Sequence, residues 1–259
     1  MAPELDLQAR GLALVAAIVR WGLDGAPLVN PLSGEPAFRL RSAAELAADY
    51  QLRLPRVGLN RAIEELIEAQ ARCNAGTGFL TGLGGFALLP LQLPAAVTAT
   101  WLIQIRMVGA IAQLHGYDLE HQAVRTQILL TLLGEEAAEV LKQVGVKASQ
   151  RFAQAQLRRL PATTLQAINR AVGFRLVGRV GERGLLRLES SIPLLGGVLG
   201  GGIDYWMTRR LGEFATAALA GGAPASAARA PASAARATTS REQAVEVIEL
   251  EVIEVRIME

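Results

Sequence analysis

The chain has 259 residues, 51% of them hydrophobic and 19% charged, which excludes disorder for most of its length. Aromatics are only 5%, so Ala, Leu, Gly and Val carry the apolar content and favour close-packed helices over an aromatic-rich β-sandwich. The net charge of +2 is uneven: 12 basic and 3 acidic residues lie between Lys142 and Arg210, against 6 Glu and 2 Arg from Arg241 to Glu259.

Residues 4–24 predict an amphipathic helix that ends at the Pro- and Gly-rich turn cluster Gly25 to Pro36. Ser42 is a helix cap for a short helix through Asp49, and Pro55 opens a further helix with Ile63, Leu66 and Ile67 on one face. Residues 76–105 then carry no charged side chain; the nearest charges are Arg72 and Arg106. Pro90 and Pro94 divide this stretch into helix, tight turn and helix, the second running from Pro94 to about His115. Gly116 ends that helix, Asp118 caps the next, and Gly145 closes it. ASQRFAQAQLRRL, stopped before Pro161, and TTLQAINRAVGFRLVGRV predict two more helices. The last runs from near Pro193 to Ala220. The expected class is all-α: a helical bundle around a central Gly/Pro-rich apolar hairpin, with a flexible C-terminal tail.

Three regions follow from composition: a helical domain at 1–220, an Ala/Pro/Ser linker at 221–240 with PASAARA repeated, and an acidic-apolar tail at 241–259. The tail AVEVIELEVIEVRIME reads as a strand, although Val245, Ile248, Val252 and Val255 also fit a helical stripe. Val247, Ile248, Leu250, Val252, Ile253 and Val255 are its candidate docking residues for a protein partner; folding back on the basic body is the alternative.

The uncharged stretch raises the question of a membrane. Its first leg, Gly76 to Leu89, would be only about 21 Å long at 1.5 Å per residue, short of a bilayer's ~30 Å of hydrocarbon. The second leg contains Arg106, which costs ~2.5–3.5 kcal/mol at a bilayer centre and offsets the ~2–4 kcal/mol its Val, Leu and Ile return. A two-span hairpin is therefore disfavoured. Two readings remain: a buried hairpin in a bundle, or a hairpin that dips into one leaflet. Leu88, Leu89, Leu91, Trp101 and Trp206 are the candidate lipid or partner contacts, with core packing as the alternative for the tryptophans. Gly78, Gly82 and Gly85, and Gly196, Gly197, Gly200 and Gly201 in SSIPLLGGVLGGGIDYW, suit close approach of two helices. Arg106 and Asp204, the charges bordering these segments, are expected to meet as an ion pair.

Catalytic chemistry finds little support. HGYDLEH offers His115 and His121 as weak metal candidates, but they sit six apart across a helix break with no metalloprotease-like register, so no metal or other cofactor is expected. TGLGG lacks the GK[ST] ending of a phosphate loop. The single cysteine, Cys73, reads as a small core residue, and one cysteine in the chain fits a reducing cytoplasm. Glu4 and Asp6 stand where a signal peptide would be basic.

TGLGGFALLPLQLPAAVTATWLIQIRMVGAIAQLHGYD, followed by INRAVGFRLVGRVGERG and SIPLLGGVLGGGIDYWMTRRLGEFA, resembles the EcsC family over roughly residues 45–220. The resemblance implies that Gly82, Gly84, Gly85, Pro90, Arg106, Gly116, Asp118, Gly196, Gly197 and Asp204 are motif positions, and it supplies no catalytic residue. The leading expectation is a non-enzymatic protein at a membrane surface, cytoplasmic and peripheral to the inner face. It would contact anionic lipid and dock a protein through its tail, with no nucleic acid. The alternatives are an interaction or scaffold/cargo module with a fully buried core, and a metal-dependent hydrolase built on HGYDLEH.

Overall fold

The computed structural model describes the backbone of residues 2–29, 36–83, 89–146, 157–188 and 193–220, and the side chains of 11–26, 39–79, 98–146, 157–178 and 200–220. Its elements are α1 (Ala2–Asp24), β1 (Ala26–Val29), β2 (Pro36–Leu40), α2 (Ala43–Gln51), α3 (Leu54–Val57), α4 (Leu59–Leu83), α5 (Leu89–Leu114), α6 (Gln122–Leu133), a 3-10 turn (Gly134–Glu136), α7 (Ala137–Gln143), α8 (Ala162–Leu188) and α9 (Pro193–Leu219). The class is all-α. The expected linker at 221–240, the tail at 241–259 and most of the ASQRFAQAQLRRL helix lie outside the described residues.

Local chemistry sets most boundaries. Ser42 Oγ accepts from the Glu45 amide at 3.1 Å and Glu45 Oε2 accepts from the Ser42 amide at 2.8 Å, a reciprocal pair that starts α2. Gly116 and Gly145 end their helices with positive φ, as expected.

Elsewhere the structure corrects the reading of the sequence. The Gly25 to Pro36 cluster is flanked by a small antiparallel hairpin, with Ala26 opposite Leu40 and Leu28 opposite Phe38. Its strands are too short to show alternation. The helix opened by Pro55 breaks at Gly58 (φ 77°) and restarts as α4, which then runs unbroken through Gly76 and Gly78 to Leu83. The second leg begins at Leu89 rather than Pro94, so Pro94 lies inside α5 and only Pro90 takes a favoured first-turn place. Asp118 does not cap the next helix. His121 does, its Nδ1 accepting from the Ala123 amide at 3.2 Å, while Asp118 Oδ1 accepts from the Glu120 amide. Gly134 (φ 61°) splits that helix into α6 and α7.

The core is organised around α5, which packs against α1, α2, α4, α6 and α9. Its only charge is Arg106, so it buries residues all round, including Ile105, Met107, Val108 and Ile111. They meet Ile18 and Leu23 of α1, Ile63 and Leu66 of α4, and Ile128 of α6 in one continuous cluster. Two polar clamps hold the periphery. Arg125 Nη2 donates to Asp24 Oδ1 at 2.6 Å, tying α6 to the end of α1, and the Tyr117 hydroxyl donates to the Leu219 carbonyl at 3.0 Å, fixing the end of α9.

Candidate functional site

Three helices, α4, α5 and α9, meet along a polar and small-residue seam. Gln70 and Asn74 of α4, Thr100 and Gln104 of α5, and Asp204 and Thr208 of α9 are all buried. Asn74 Nδ2 donates to Thr208 Oγ1 at 2.8 Å and Gln104 Nε2 donates to the same oxygen at 3.4 Å, linking all three helices at one level. Thr77 Oγ1 donates to the Asn74 carbonyl at 2.7 Å. The seam forms because glycines let backbones approach. A Cβ on Gly200 would lie 3.2 Å from the Gly78 carbonyl oxygen, and one on Gly201 would lie 2.9 Å from that of Ala75. Small residues and buried hydrogen bonds between close helices are the packing mode of helices in lipid.

The contacts fix the register. Ile67 faces Gly212, Asn74 faces Thr208, and Gly78 faces Gly200 and Asp204, so α4 and α9 run antiparallel. Gln70 faces Arg106 and Asn74 shares Thr208 with Gln104, so α4 and α5 are antiparallel as well. The uncharged parts of all three helices therefore lie at one end of the unit. Moving from that end past the Asn74–Thr208–Gln104 level, the next charges are Arg72, Arg106 and Arg209, each within a turn of it and all arginine. Asp204 is the single charge on the far side, and it is buried over Gly78.

Arg106 and Asp204 are thus both buried or partly buried, but they do not form the expected pair. Arg106 Nη2 donates to Gln70 Oε1 at 3.1 Å, its Nε is buried without an acceptor, and no carboxylate lies within 4 Å of it among the described residues. The reason is register: Gln70 and Gly78 are eight residues apart, about 12 Å along α4 at 1.5 Å per residue. Burial holds the Arg106 guanidinium below its ordinary pKa, with Cys73 and Arg41 as weaker influences of opposite sign. A buried cation without a carboxylate contributes little net stability. Arg106→Leu is therefore expected to change the unfolding free energy by less than about 1 kcal/mol, because relief of desolvation offsets one lost neutral hydrogen bond. Urea denaturation checks this; a loss above about 3 kcal/mol would show that a carboxylate reaches Arg106.

Other expected residues separate. Gly78, Gly200 and Gly201 do pack closely. Gly82, Gly196 and Gly197 lie in α4 and α9 with contacts outside the described side chains, and Gly85 and Leu88 lie outside the described residues. Leu89 and Leu91 begin α5, their side chains also outside the described set. Val247, Ile248, Leu250, Val252, Ile253 and Val255 are outside it too. Trp101, expected among the lipid contacts, is instead 5% exposed in the core, because α5 is surrounded. Trp206 is 59% exposed. Cys73 is exposed rather than core, one position off the face that carries Gln70, Ala71 and Asn74. His115 is half-buried with Nε2 lacking a partner, and burial pushes its pKa down. No group of three or more metal-ligating side chains occurs among the described residues.

A groove of about 980 Å³ lies beside the seam, between the end of α2, Arg53, α4 and α9. Its charges neutralise one another: Arg53 with Glu65 at 3.3 Å, Arg61 with Glu64 at 2.8 Å, Arg72 with Glu68 at 2.8 Å and Arg209 with Glu213 at 3.2 Å. The Tyr205 hydroxyl donates to Glu68 at 2.8 Å, which fixes that carboxylate across the helix interface and lowers its pKa. Sequence reading missed the seam, although Gln70–Asn74–Gly78 and Gly200–Asp204–Thr208–Gly212 recur every four residues, the spacing of one helix face.

In comparisons with known proteins, the profile of the EcsC protein family matches residues 43–220. No curated protein and no solved structure matches the chain.

Proposed function

The chain belongs to the EcsC protein family, and from that premise we propose that it acts at an anionic membrane surface, without catalysis, by entering one leaflet with the charge-free end of α4, α5 and α9. The observation that carries this reading is the level, near Asn74, Gln104 and Thr208, beyond which the three helices carry no charge except the buried Asp204. Beyond it, Asn74–Leu83 of α4 and Pro193–Ile203 of α9 are about 15 and 16 Å long at 1.5 Å per residue. That is the depth of one leaflet, half of the ~30 Å hydrocarbon core. The uncharged part of α5 is longer, about 25 Å, and still short of a full crossing. Among the described residues no helix is long and apolar enough to cross a membrane. A seam of glycine and buried amides suits helices whose surroundings are apolar. The acidic-apolar tail, residues 241–259, supplies a second contact, to a protein partner.

Flotation of the full chain with vesicles tests the reading. The chain is expected to rise with vesicles containing phosphatidylglycerol and to rise less with purely zwitterionic ones. Retention in the bottom fraction with both would overturn it, and residues 76–105 would then be the interior of an interaction module.

A further inference from the structure

Helix α9 is amphipathic in the reverse sense. From Gly201 to Ala215 the face it turns inward holds Gly201, Asp204, Thr208, Gly212 and Ala215, small or polar residues that are all buried, and a large side chain, Leu219, joins them only at the helix end. The opposite face holds Ile203, Trp206, Arg210 and Phe214, at the helical spacing of one stripe. Ile203 is 55% exposed, Trp206 59% and Phe214 39%. A surface helix ordinarily buries its large apolar side chains and shows its small and polar ones. Here the seam's need for close approach has taken the inner face, and the large side chains point out.

We propose that this outer face of α9 lies in the headgroup boundary of an anionic bilayer, so that the bundle sits tilted with α9 lowermost. The inference rests on the membrane reading above and adds an orientation to it. Three observations select lipid as the occupant. First, the stripe is continuous with the charge-free end: it starts at Ile203, where the uncharged run of α9 stops, and carries apolar surface on to Phe214. On α4 and α5 charge begins at Arg72 and Arg106, so the apolar surface is deeper on the α9 side. Second, the composition is interfacial. The Arg210 guanidinium lies over the Trp206 ring at 5.4 Å and makes no ion pair among the described residues, which leaves it available to a phosphate. The acid nearest the stripe, Glu213, is held by Arg209 at 3.2 Å. Third, a second copy of the chain fits poorly. A two-fold pairing centred on the stripe would set Arg210 near its own symmetry mate with no carboxylate on the stripe to meet it.

The test uses the full chain, its own tryptophans and anionic vesicles with brominated acyl chains. Trp101 is buried and Trp21 partly buried, while Trp206 is the most exposed of the three, so quenching on vesicle addition is expected to fall sharply in Trp206→Phe and to persist in Trp21→Phe. The double variant Trp206→Glu/Phe214→Glu, both sites exposed, is expected to keep the unfolding midpoint of the parent and to bind phosphatidylglycerol vesicles at least tenfold more weakly. Binding without Trp206-dependent quenching, and unchanged in the double variant, overturns the tilt and leaves the membrane reading standing. A double variant that binds vesicles normally but converts a dimer to a monomer overturns it in favour of a second copy. No binding of the parent to any vesicle overturns both readings.

Discussion

Gly78→Val is expected to destabilise the fold by about 3 kcal/mol, the upper end of what overpacking costs. A Cβ at Gly78 would collide with Asp204 Oδ2 and lie 3.0 Å from the Gly200 carbonyl oxygen. The second obstacle is backbone, so relief requires α4 and α9 to separate, which would strain the hydrogen bond between Asn74 and Thr208. Valine's helix propensity exceeds that of glycine by only a few tenths of a kcal/mol, far too little to compensate. Gly76→Val is the control: the same helix, two residues earlier, with open space around the new Cβ. It is expected to stay within about 0.5 kcal/mol of the parent. Equal effects from the two substitutions in urea denaturation would mean that the close approach of the helices contributes nothing specific.

Thr208→Val is expected to cost about 2–3 kcal/mol with almost no change in volume. The hydroxyl accepts from two buried amides, Asn74 Nδ2 at 2.8 Å and Gln104 Nε2 at 3.4 Å. Removing it strands two donors, and each unsatisfied buried group costs about 1–3 kcal/mol, the longer contact less. Adding Asn74→Leu should recover part of the loss, because replacing both partners by apolar groups removes the orphan rather than creating one. A single-variant effect under about 0.5 kcal/mol would show that the amides find other acceptors. The two experiments probe different halves of the seam, one its spacing and the other its polarity.

Much of the fold was legible in the residues. Ser42 marked the start of α2, Gly116 and Gly145 marked helix ends, and the absence of alternating strand patterns gave the helical class. The breaks at Gly58 and Gly134 were not legible, since a glycine within a helical pattern either continues or ends it, and tertiary packing decides which. The β1–β2 hairpin was missed for a similar reason: four- and five-residue strands are stabilised by pairing, not by a pattern either strand carries alone.

The site was legible in its materials and not in its register. Glycines in the two uncharged segments did announce close helix packing. Arg106 and Asp204 looked like partners because each was a lone charge beside an apolar run. Which residues face each other depends on how far one helix slides along its neighbour. Here the slide places Arg106 beside Gln70 and Asp204 over Gly78, two turns away. Trp101 and Cys73 were misplaced by the same ignorance of which face of a helix the core would take. Trp206 shows the converse: its exposure follows only once the small and polar face of α9 is seen to be the buried one.

The chain's single cysteine lies where the membrane account is most exposed to refutation. Cys73 is accessible and follows Arg72, at the level where charge ends. A nitroxide on Cys73 of the otherwise unaltered chain, with its accessibility to oxygen and to a water-soluble relaxation agent measured on phosphatidylglycerol vesicles, reads its depth. The account predicts that vesicles shield the label from the aqueous agent and place it at the boundary between headgroups and hydrocarbon. A label that stays fully accessible to the aqueous agent on vesicle-bound protein would contradict it.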